Sequence, residues 1–344
     1  MPSPIRGLSR RVSDRLAAPY VLDLATRMGE LHARIAEMNG RVEEANQRLD
    51  ALQKSLDASR VESGQRFQGV ADDLGGRLDS LSGQVEISRR ILRHVHDEEA
   101  AQRRRLQELR SGDEYEAAFG PEPLVSFVVP TYTRFESLRD VSLPSILAQT
   151  YANFEVIVAG DCAPPETAQV IAELDDPRLR FHNRSVRGPY PDDPAVRWYS
   201  IGTPPYNDAV ALARGQWIAG LGDDDAVRPD HLERLLAAAR EDRLEHCYGL
   251  HEVHYRSGET LEVGAFPPER GQYVVQAAIY HAGLRFFQMD PVDYLFEEPN
   301  DWSLCRRMLT AGVRFGMIDR VVADKYESRY ESHRDWESGI PAVE

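Results

Sequence analysis

The sequence predicts an α/β fold with a mostly parallel, Rossmann-like sheet flanked by helices and preceded by a long α-helical coiled coil. From residue 124 onward, short apolar runs alternate with segments of helical spacing, which is typical of parallel strands joined by right-handed helical crossovers. Before residue 111, apolar residues recur in steps of three and four, which is the heptad pattern of supercoiled helices.

The composition indicates a globular protein and argues against some classes of function. Hydrophobic residues make up 42% of the 344 residues, which is enough for a packed core. The net charge of -15 argues against a nucleic-acid-binding surface, since such surfaces are usually basic. Three scattered cysteines do not make a disulfide framework, and neither a signal peptide nor a run of 18 apolar residues is evident. We therefore expect a cytoplasmic location.

The N-terminal third divides into a basic segment, residues 1–20, and a coiled-coil oligomerisation region, residues 21–110. The basic segment carries Arg6, Arg10, Arg11 and Arg15, which suit peripheral contact with the anionic inner face of the cell membrane. The alternative is a solvated tail, which is the more common role of such a segment. The apolar seam consists of Met28, Leu31, Ile35, Met38, Val42, Ala45, Leu49, Leu52 and Leu56, and resumes at Leu78, Leu81, Val85, Leu92 and Val95. The seam favours a homo-oligomer, and a helix folded back on its own chain near the glycines at 64–83 is the alternative.

Residues 111–123 are predicted to be a linker, residues 124–330 the α/β domain, and residues 331–344 a charged tail. The predicted strands are 124–129, 154–159, 178–182 and 217–221. The predicted helices are 135–149, one that follows Pro164-Pro165, 206–214, and one that runs from Pro229-Asp230 to 240.

Three adjacent carboxylates, Asp223, Asp224 and Asp225, follow the strand that ends at Leu221. In an open α/β sheet, ligands bind beyond the carboxyl ends of the strands. Because adjacent carboxylates repel one another, this position favours a bound cation, and Mg²⁺ and Mn²⁺ prefer carboxylate oxygen together with substrate phosphates. An isolated run of aspartates is more often a solvated turn that caps the next helix, and the preceding buried strand favours the metal site.

Two further strand ends carry polar groups. The first strand ends in Pro130-Thr131-Tyr132, with Arg134 close behind, and the second ends in Gly160-Asp161. Both ends should line the same crevice as the aspartate triplet, where Asp161 can accept hydrogen bonds from a nucleobase.

Four segments together resemble a family 2 glycosyltransferase with the GT-A fold. They are VSFVVPTYTR, LPSILAQTYANFEVIVAGD, ARGQWIAGLGDDDAVRPDHL and NDWSLCRRMLTAG. The resemblance extends from about residue 124 to residue 326 and leaves the first 115 residues unexplained. It implies an inverting enzyme that moves a sugar from a nucleotide-diphosphate sugar to an acceptor hydroxyl. It also implies a divalent metal cofactor, Mn²⁺ or Mg²⁺.

The resemblance assigns roles to individual residues. The predicted nucleotide-sugar-binding residues are Pro130, Thr131, Tyr132, Arg134, Asp161, Asn207 and Asp223; the predicted metal ligands are Asp224 and Asp225, and the predicted catalytic base is Asp301. Gly222 stands where the first aspartate of the family's acidic motif often lies. Two alignments of the motif therefore remain possible: one in which Asp224 is the usual metal ligand, and one in which Asp223-x-Asp225 forms the motif. Likewise, Asn300-Asp301 stands in place of the family's usual Glu-Asp pair. One carboxylate is lost, and Asp301, the one to which the resemblance assigns the role of base, is kept.

Two other functions remain open at this point. A coiled-coil scaffold whose α/β domain binds nucleotide sugar without turnover would share most of these features. A nucleotidyltransferase would also use carboxylate-bound metal, but it needs a basic, glycine-rich loop that residues 130–134 do not provide. For the enzyme, we expect a saccharide, lipid-linked or protein acceptor and a product in bacterial surface polysaccharide or glycoconjugate synthesis.

Overall fold

The computed structural model describes residues 5–58 and 64–327 of the chain. The chain divides into two compact units, Ala17–Ala101 on the one hand and Met1–Leu16 with Gln102–Glu344 on the other. The larger unit contains the α/β domain and all the residues predicted to form the site.

Ten α-helices and nine strands form in the described ranges. The helices are α1 (Ile5–Ala58), α2 (Gly64–Ser111), α3 (Asp113–Ala117), α4 (Phe135–Ser137), α5 (Leu143–Leu147), α6 (Pro165–Leu174), α7 (Pro194–Arg197), α8 (Thr203–Leu212), α9 (His231–Asp242) and α10 (Asn300–Ala311). The strands are β1 (Val125–Thr131), β2 (Phe154–Gly160), β3 (Leu179–Asn183), β4 (Trp217–Gly220), β5 (Ala226–Val227), β6 (His246–His254), β7 (Thr260–Val263), β8 (Ala278–His281) and β9 (Phe315–Tyr326). The predicted strands therefore form within a few residues of their expected bounds.

The strands form one sheet in the order β3-β2-β1-β4-β8-β6-β9-β5, with β7 paired to β6. Strands β1 to β4 are parallel, as predicted, and β6 is parallel to β9. Strand β8 runs antiparallel to both β4 and β6, and β7 is joined to β6 by a hairpin, so the second half of the sheet is mixed. The predicted α/β class is confirmed.

Alternation along β1 places the core on both faces of the sheet. Phe127 and Val129 join the cluster that includes helices α5 and α9, whereas Val128 joins the cluster that includes α8 and α10. Successive strand residues point to opposite faces, so an uninterrupted apolar strand must be covered on both sides. The sheet is therefore a rigid platform whose polar groups emerge at the strand ends.

The helix predicted for residues 135–149 forms as three pieces. Helix α4 is followed by a π-helical turn, Leu138–Ser142, and then by α5, which ends at Leu147. The cause is Pro144, which has no N–H to donate to the preceding turn. The helix is wider there, and Leu143 N donates to Leu138 O, five residues earlier, as in a π-helix. Beyond the helix end, the Gln149 side chain donates to Arg228 O at 2.7 Å and ties this segment to the start of α9.

The predicted linker, residues 111–123, is an ordered part of the larger unit. Helix α2 ends at Ser111, as the Ser-Gly-Asp sequence predicts, and α3 follows within two residues. Tyr115 and Ala118 are buried, and the Trp217 indole N–H donates to Ala118 O at 2.7 Å. Leu106 of α2 is also buried in the core shared with α8 and α10. The α/β domain thus includes the end of α2.

The smaller unit consists of parts of α1 and α2. In residues 27–54 the side chains of the predicted seam are half-buried, from Met28 to Leu52, and every other residue in that range is exposed. The stripe therefore matches the heptad pattern, and a coiled coil between chains remains a prediction. The structure does not describe residues 1–4 and 331–344, or the side chains of the N-terminal arginines, so the predictions made for the basic segment and the tail lie outside the described residues.

Candidate active site

The site lies where the connection order of the sheet reverses. From β1 the chain proceeds outward to β2 and β3 and then returns to place β4 on the other side of β1. Ligands in open α/β sheets bind in the crevice at such a point. Thr131, at the end of β1, donates from Oγ1 to Asp223 Oδ2 at 2.8 Å, and its carbonyl accepts from Asp161 N at 2.8 Å. The three predicted strand ends therefore meet.

The aspartates of the triplet have separate partners. Asp223 lies beside Thr131 and 3.5 Å from Arg134 Nη1, whereas Asp224 forms an ion pair with the same guanidinium. Asp225 accepts from Gln276 Nε2 at 2.6 Å and from the backbone N–H of Tyr326 at 3.0 Å. Each carboxylate is thus held in place by groups from distant parts of the chain.

Burial and mutual repulsion raise two pKa values in the triplet. Burial is the larger cause for both Asp223 and Asp225, and the charge of Asp224 adds to it, so the pKa of each buried carboxyl lies above its usual range. Close like charges disfavour ionisation, and a cation between them removes that cost. The electrostatics of the triplet therefore suit a bound cation.

A cradle above Gly222 fits a divalent metal. A β-carbon at Gly222 would lie 3.2 Å from Asp224 Oδ1 and 3.2 Å from Asp225 Oδ2, so these two oxygens converge over a backbone position that has no side chain. Mg²⁺ and Mn²⁺ are usually bound by one or two carboxylates, with waters and substrate phosphates completing the shell. Asp224 and Asp225, the predicted ligands, are the residues that would hold such an ion.

Asp161, the predicted base contact, is buried under the segment 184–190. Its carboxylate accepts from Gly188 N at 3.0 Å and from the Tyr190 hydroxyl at 2.5 Å. The Arg187 guanidinium lies 4.0 Å from the centre of the Tyr132 ring, which is exposed at the end of β1. The predicted base-binding residues and this segment therefore form one polar and aromatic cluster.

The side chain of Asn207 hydrogen-bonds to the backbone of Met289. Its side-chain nitrogen donates to Met289 O at 2.8 Å, and its side-chain oxygen accepts from Met289 N at 3.0 Å. In this structure Asn207 therefore ties α8 to the segment that leads into α10. Its predicted contact with nucleotide stays a prediction.

Asp301 lies in the first turn of α10 and is half-buried. Its Oδ1 accepts from Trp302 N at 2.7 Å, and a hydrogen bond from the Val275 backbone also favours the charged form. Burial is the largest effect and raises the pKa of this carboxyl above its usual range. A carboxylate with a raised pKa is a better proton acceptor near neutral pH, which suits a general base.

Sequence reasoning did not identify the turn that links Asp225 to Asp301. Val275 and Gln276 are consecutive residues of a 3₁₀ turn before β8. The Gln276 side chain donates to Asp225 at 2.6 Å, and the Val275 backbone favours the charged form of Asp301. A β-carbon at Gly220 would lie 2.9 Å from Val275 Cγ2, so this glycine allows the turn to approach the end of β4. No local motif marks the turn, and only the tertiary fold reveals it.

A second group of acidic and histidine side chains has a structural explanation. Glu252, His254 and Asp324 have ligand atoms within 4.8 Å of one another. The Arg228 guanidinium donates to Glu252 at 2.6 Å and to Asp324 at 2.6 Å. Since an arginine already neutralises these carboxylates, we interpret the group as an ion-pair network.

The model of glycosyl transferase family 2 matches residues 126–190 and 205–285, which contain the triplet and Gln276 and end before Asp301. A protein of Escherichia coli (strain K12) named as a colanic acid biosynthesis glycosyl transferase, WcaA, is 35% identical over 118 residues, or 33% of this chain and 37% of the relative. The succinoglycan biosynthesis protein ExoO of Rhizobium meliloti (strain 1021) is 34% identical over 121 residues, or 34% of this chain and 30% of the relative. The chain thus spans about a third of the length of each relative.

Among solved structures, the chain is similar to S. aureus TarS 1-349 in complex with UDP-GlcNAc, with a TM-score of 0.48 and 17% identity. The similarity covers 63% of this chain and 61% of the TarS chain. Within the described part of this chain, the helices are too short or too polar to cross a bilayer.

Proposed function

We propose that this chain is a metal-dependent inverting glycosyltransferase, because residues 126–190 and 205–285 match the model of glycosyl transferase family 2. The donor is a nucleotide-diphosphate sugar, and the acceptor is a hydroxyl of a saccharide, lipid-linked or protein substrate. The observation that carries the proposal is the turn at Val275–Gln276: the Gln276 side chain donates to Asp225 at 2.6 Å, and the Val275 backbone favours the charged form of Asp301.

The donor half of the site is built at the ends of β1, β2 and β4. The nucleotide lies along Pro130, Thr131 and Tyr132, with the base near Asp161 and the ribose near Asp223. Asp224 and Asp225 would hold Mn²⁺ or Mg²⁺, which when bound offsets the negative charge of the diphosphate leaving group. The converging oxygens above Gly222 support this arrangement.

The acceptor half is built at the start of α10. Asp301 takes the proton of the acceptor hydroxyl as its oxygen attacks the anomeric carbon. A bond forms between that oxygen and the anomeric carbon, the bond to the diphosphate oxygen breaks, and the nucleoside diphosphate leaves with the electron pair. A single displacement inverts the configuration at the anomeric carbon.

The names of the relatives support the biological context that we propose. WcaA and ExoO are named for the biosynthesis of colanic acid and of succinoglycan. We accordingly place this chain in the synthesis of a bacterial surface polysaccharide or glycoconjugate, as a homo-oligomer joined by its N-terminal helices. Membrane contact through the N-terminal arginines is part of the same proposal.

The test is to incubate the protein with Mn²⁺ and a panel of nucleotide sugars and to measure release of nucleoside diphosphate by chromatography. We expect slow hydrolysis of one donor in the absence of acceptor, and loss of that hydrolysis when the metal is chelated. Binding of a donor without turnover would instead support a scaffold that holds nucleotide sugar. Pyrophosphate release from a nucleoside triphosphate and a sugar phosphate would indicate a nucleotidyltransferase.

A further inference from the structure

Arg134 lies at the centre of the charge distribution around the triplet. Its Nη1 donates to Asp224 Oδ2 and lies 3.5 Å from Asp223 Oδ1. The contact on Asp224 is made to Oδ2, whereas Oδ1 of the same carboxylate faces the cradle above Gly222. One carboxylate therefore presents one oxygen to a cation from the chain and the other oxygen to the predicted metal position.

Resting on the function proposed above, we propose that Arg134 is a counterion that the triplet exchanges for the metal. In the donor-free protein the guanidinium neutralises Asp224 and Asp223. When a divalent ion occupies the cradle, its two positive charges replace that role, and the guanidinium turns to the donor diphosphate. Arginine is suited to this because its planar group binds either carboxylate or phosphate through two parallel hydrogen bonds.

The position of Arg134 allows this exchange. The residue follows β1 and precedes α4, and 32% of its side chain is exposed, so the guanidinium is not enclosed by the core. The predicted nucleotide loop, Pro130 to Tyr132, ends two residues before it. The side chain that contacts the carboxylates therefore lies next to the loop that we propose holds the nucleotide.

The exchange predicts effects of opposite sign on two ligands. A positive charge beside the cradle repels a divalent cation, so its removal strengthens metal binding to the donor-free protein. The same removal takes a cation away from the diphosphate and weakens its binding. If Arg134 only supported the local fold, its loss would weaken both.

The experiment compares full-length Arg134→Gln with wild type. Binding of Mn²⁺ alone is measured from the electron paramagnetic resonance signal of free Mn²⁺, and binding of pyrophosphate to the Mn²⁺-loaded protein by calorimetry. We expect Mn²⁺ to bind at least about tenfold more tightly and pyrophosphate at least about tenfold more weakly, which is near the lower, water-screened end of the effect of one close charge. Arg134→Lys keeps the charge and should bind Mn²⁺ as wild type does.

The matched control is Arg139→Gln, because Arg139 lies five residues further on and pairs with exposed Asp140 outside the site. If Arg134→Gln binds Mn²⁺ no more tightly than this control, while Asp225→Asn abolishes binding, the metal site stands and the counterion role is overturned. If Asp225→Asn leaves Mn²⁺ binding unchanged, the proposed metal site is wrong and the exchange fails with it. Circular dichroism on each variant separates loss of fold from loss of charge.

Discussion

Asn300 stands where the resemblance to family 2 leads us to expect glutamate, and its side chain makes three hydrogen bonds. Its Nδ2 donates to Ile201 O at 3.0 Å and to Thr203 Oγ1 at 2.9 Å, and its Oδ1 accepts from Asp301 N at 2.9 Å. A glutamate carboxylate has no N–H to donate and would lose the first two bonds. Asn300 therefore fixes the start of α10 against the segment before α8, and with it the backbone of Asp301.

Replacement of Asp301 by asparagine should abolish most of the transfer and preserve the fold. Asparagine keeps the size and the hydrogen bond to Trp302 N but cannot accept the proton of the acceptor hydroxyl. We expect kcat to fall by about 10² to 10⁴, the usual contribution of a positioned base. Asp319→Asn, at an exposed position of β9, is the control and should retain full activity. Near-normal kcat in a folded Asp301→Asn protein would refute the assignment.

The pH dependence of transfer follows from the same carboxyl. Burial raises the pKa of Asp301, so the group becomes protonated at a higher pH than an exposed aspartate does. A protonated carboxyl cannot accept the acceptor proton, so kcat should be full above this pKa and fall as the pH drops through it. The acidic limb of the kcat profile should therefore lie above pH ~4, the value for an unperturbed aspartate. An acidic limb at or below that value would contradict the prediction.

Gly222→Ala should weaken metal binding without unfolding the protein. The added methyl would lie 3.2 Å from one oxygen each of Asp224 and Asp225, which is tight enough to displace them. Displacement of ligands by a neighbouring group typically lowers metal affinity about 10- to 100-fold. Gly76→Ala is the matched control, since a β-carbon there meets no atom within 4 Å. Equal Mn²⁺ affinity in the two variants would show that the cradle does not hold the ion.

At the scale of elements, the end of α2 is anchored by a buried carboxylate. The side chain of Glu245 is fully buried and accepts two bonds from the Arg110 guanidinium, each 2.7 Å long. The Tyr115 hydroxyl donates to the same carboxylate at 3.0 Å, and Arg314 N at 2.9 Å. Arg110 lies in α2, Tyr115 in α3 and Arg314 directly before β9, so this one side chain joins α2 and α3 to the sheet.

Removal of Arg110 should destabilise the larger unit. Loss of one partner of a buried ion pair costs about 3–5 kcal/mol, and we expect a value near or below the lower limit because Arg314 remains and Arg110 is one-third exposed. Denaturant unfolding of Arg110→Ala followed by tryptophan fluorescence measures the loss. Arg139→Ala breaks the exposed pair with Asp140 and should leave the free energy of unfolding nearly unchanged, because solvent screens that pair. A similar loss in both variants would mean that burial of Glu245 contributes nothing.

The sequence predicted elements whose signals are local and missed contacts that depend on the tertiary fold. Strands β1, β2 and β4 are apolar runs bounded by turn residues, and the aspartate triplet closely follows β4. These elements could therefore be predicted from the local sequence. Gln276 lies 51 residues from Asp225, its hydrogen-bond partner, and no sequence period links them. Likewise, the break in the helix at Pro144 and the ordered residues 111–123 depend on how the chain packs.

At the scale of the whole molecule, helix α1 carries an apolar stripe whose side chains are only half-buried. From Met28 to Leu52, the seam residues are half-buried while all their neighbours are exposed. Burial of a leucine-sized side chain contributes about 1.5–3 kcal/mol, so association that covers the stripe further would be favourable. The heptad spacing gives left-handed supercoiling as the geometry of that association.

The oligomer prediction is tested by placing charge within the stripe. Val42→Glu with Leu49→Glu puts two carboxylates at half-buried seam positions, where desolvation opposes association. We expect light scattering to give a multiple of 38.9 kDa for wild type and 38.9 kDa for this variant. Gln47→Glu with Gln53→Glu adds the same charge at exposed positions and should leave the mass of the assembly unchanged.

Because the active-site residues lie in the other compact unit, donor hydrolysis should survive in both variants. A wild-type protein that scatters as a monomer, or a seam variant that keeps the full assembly mass, would refute association through the seam and leave the transferase proposal intact.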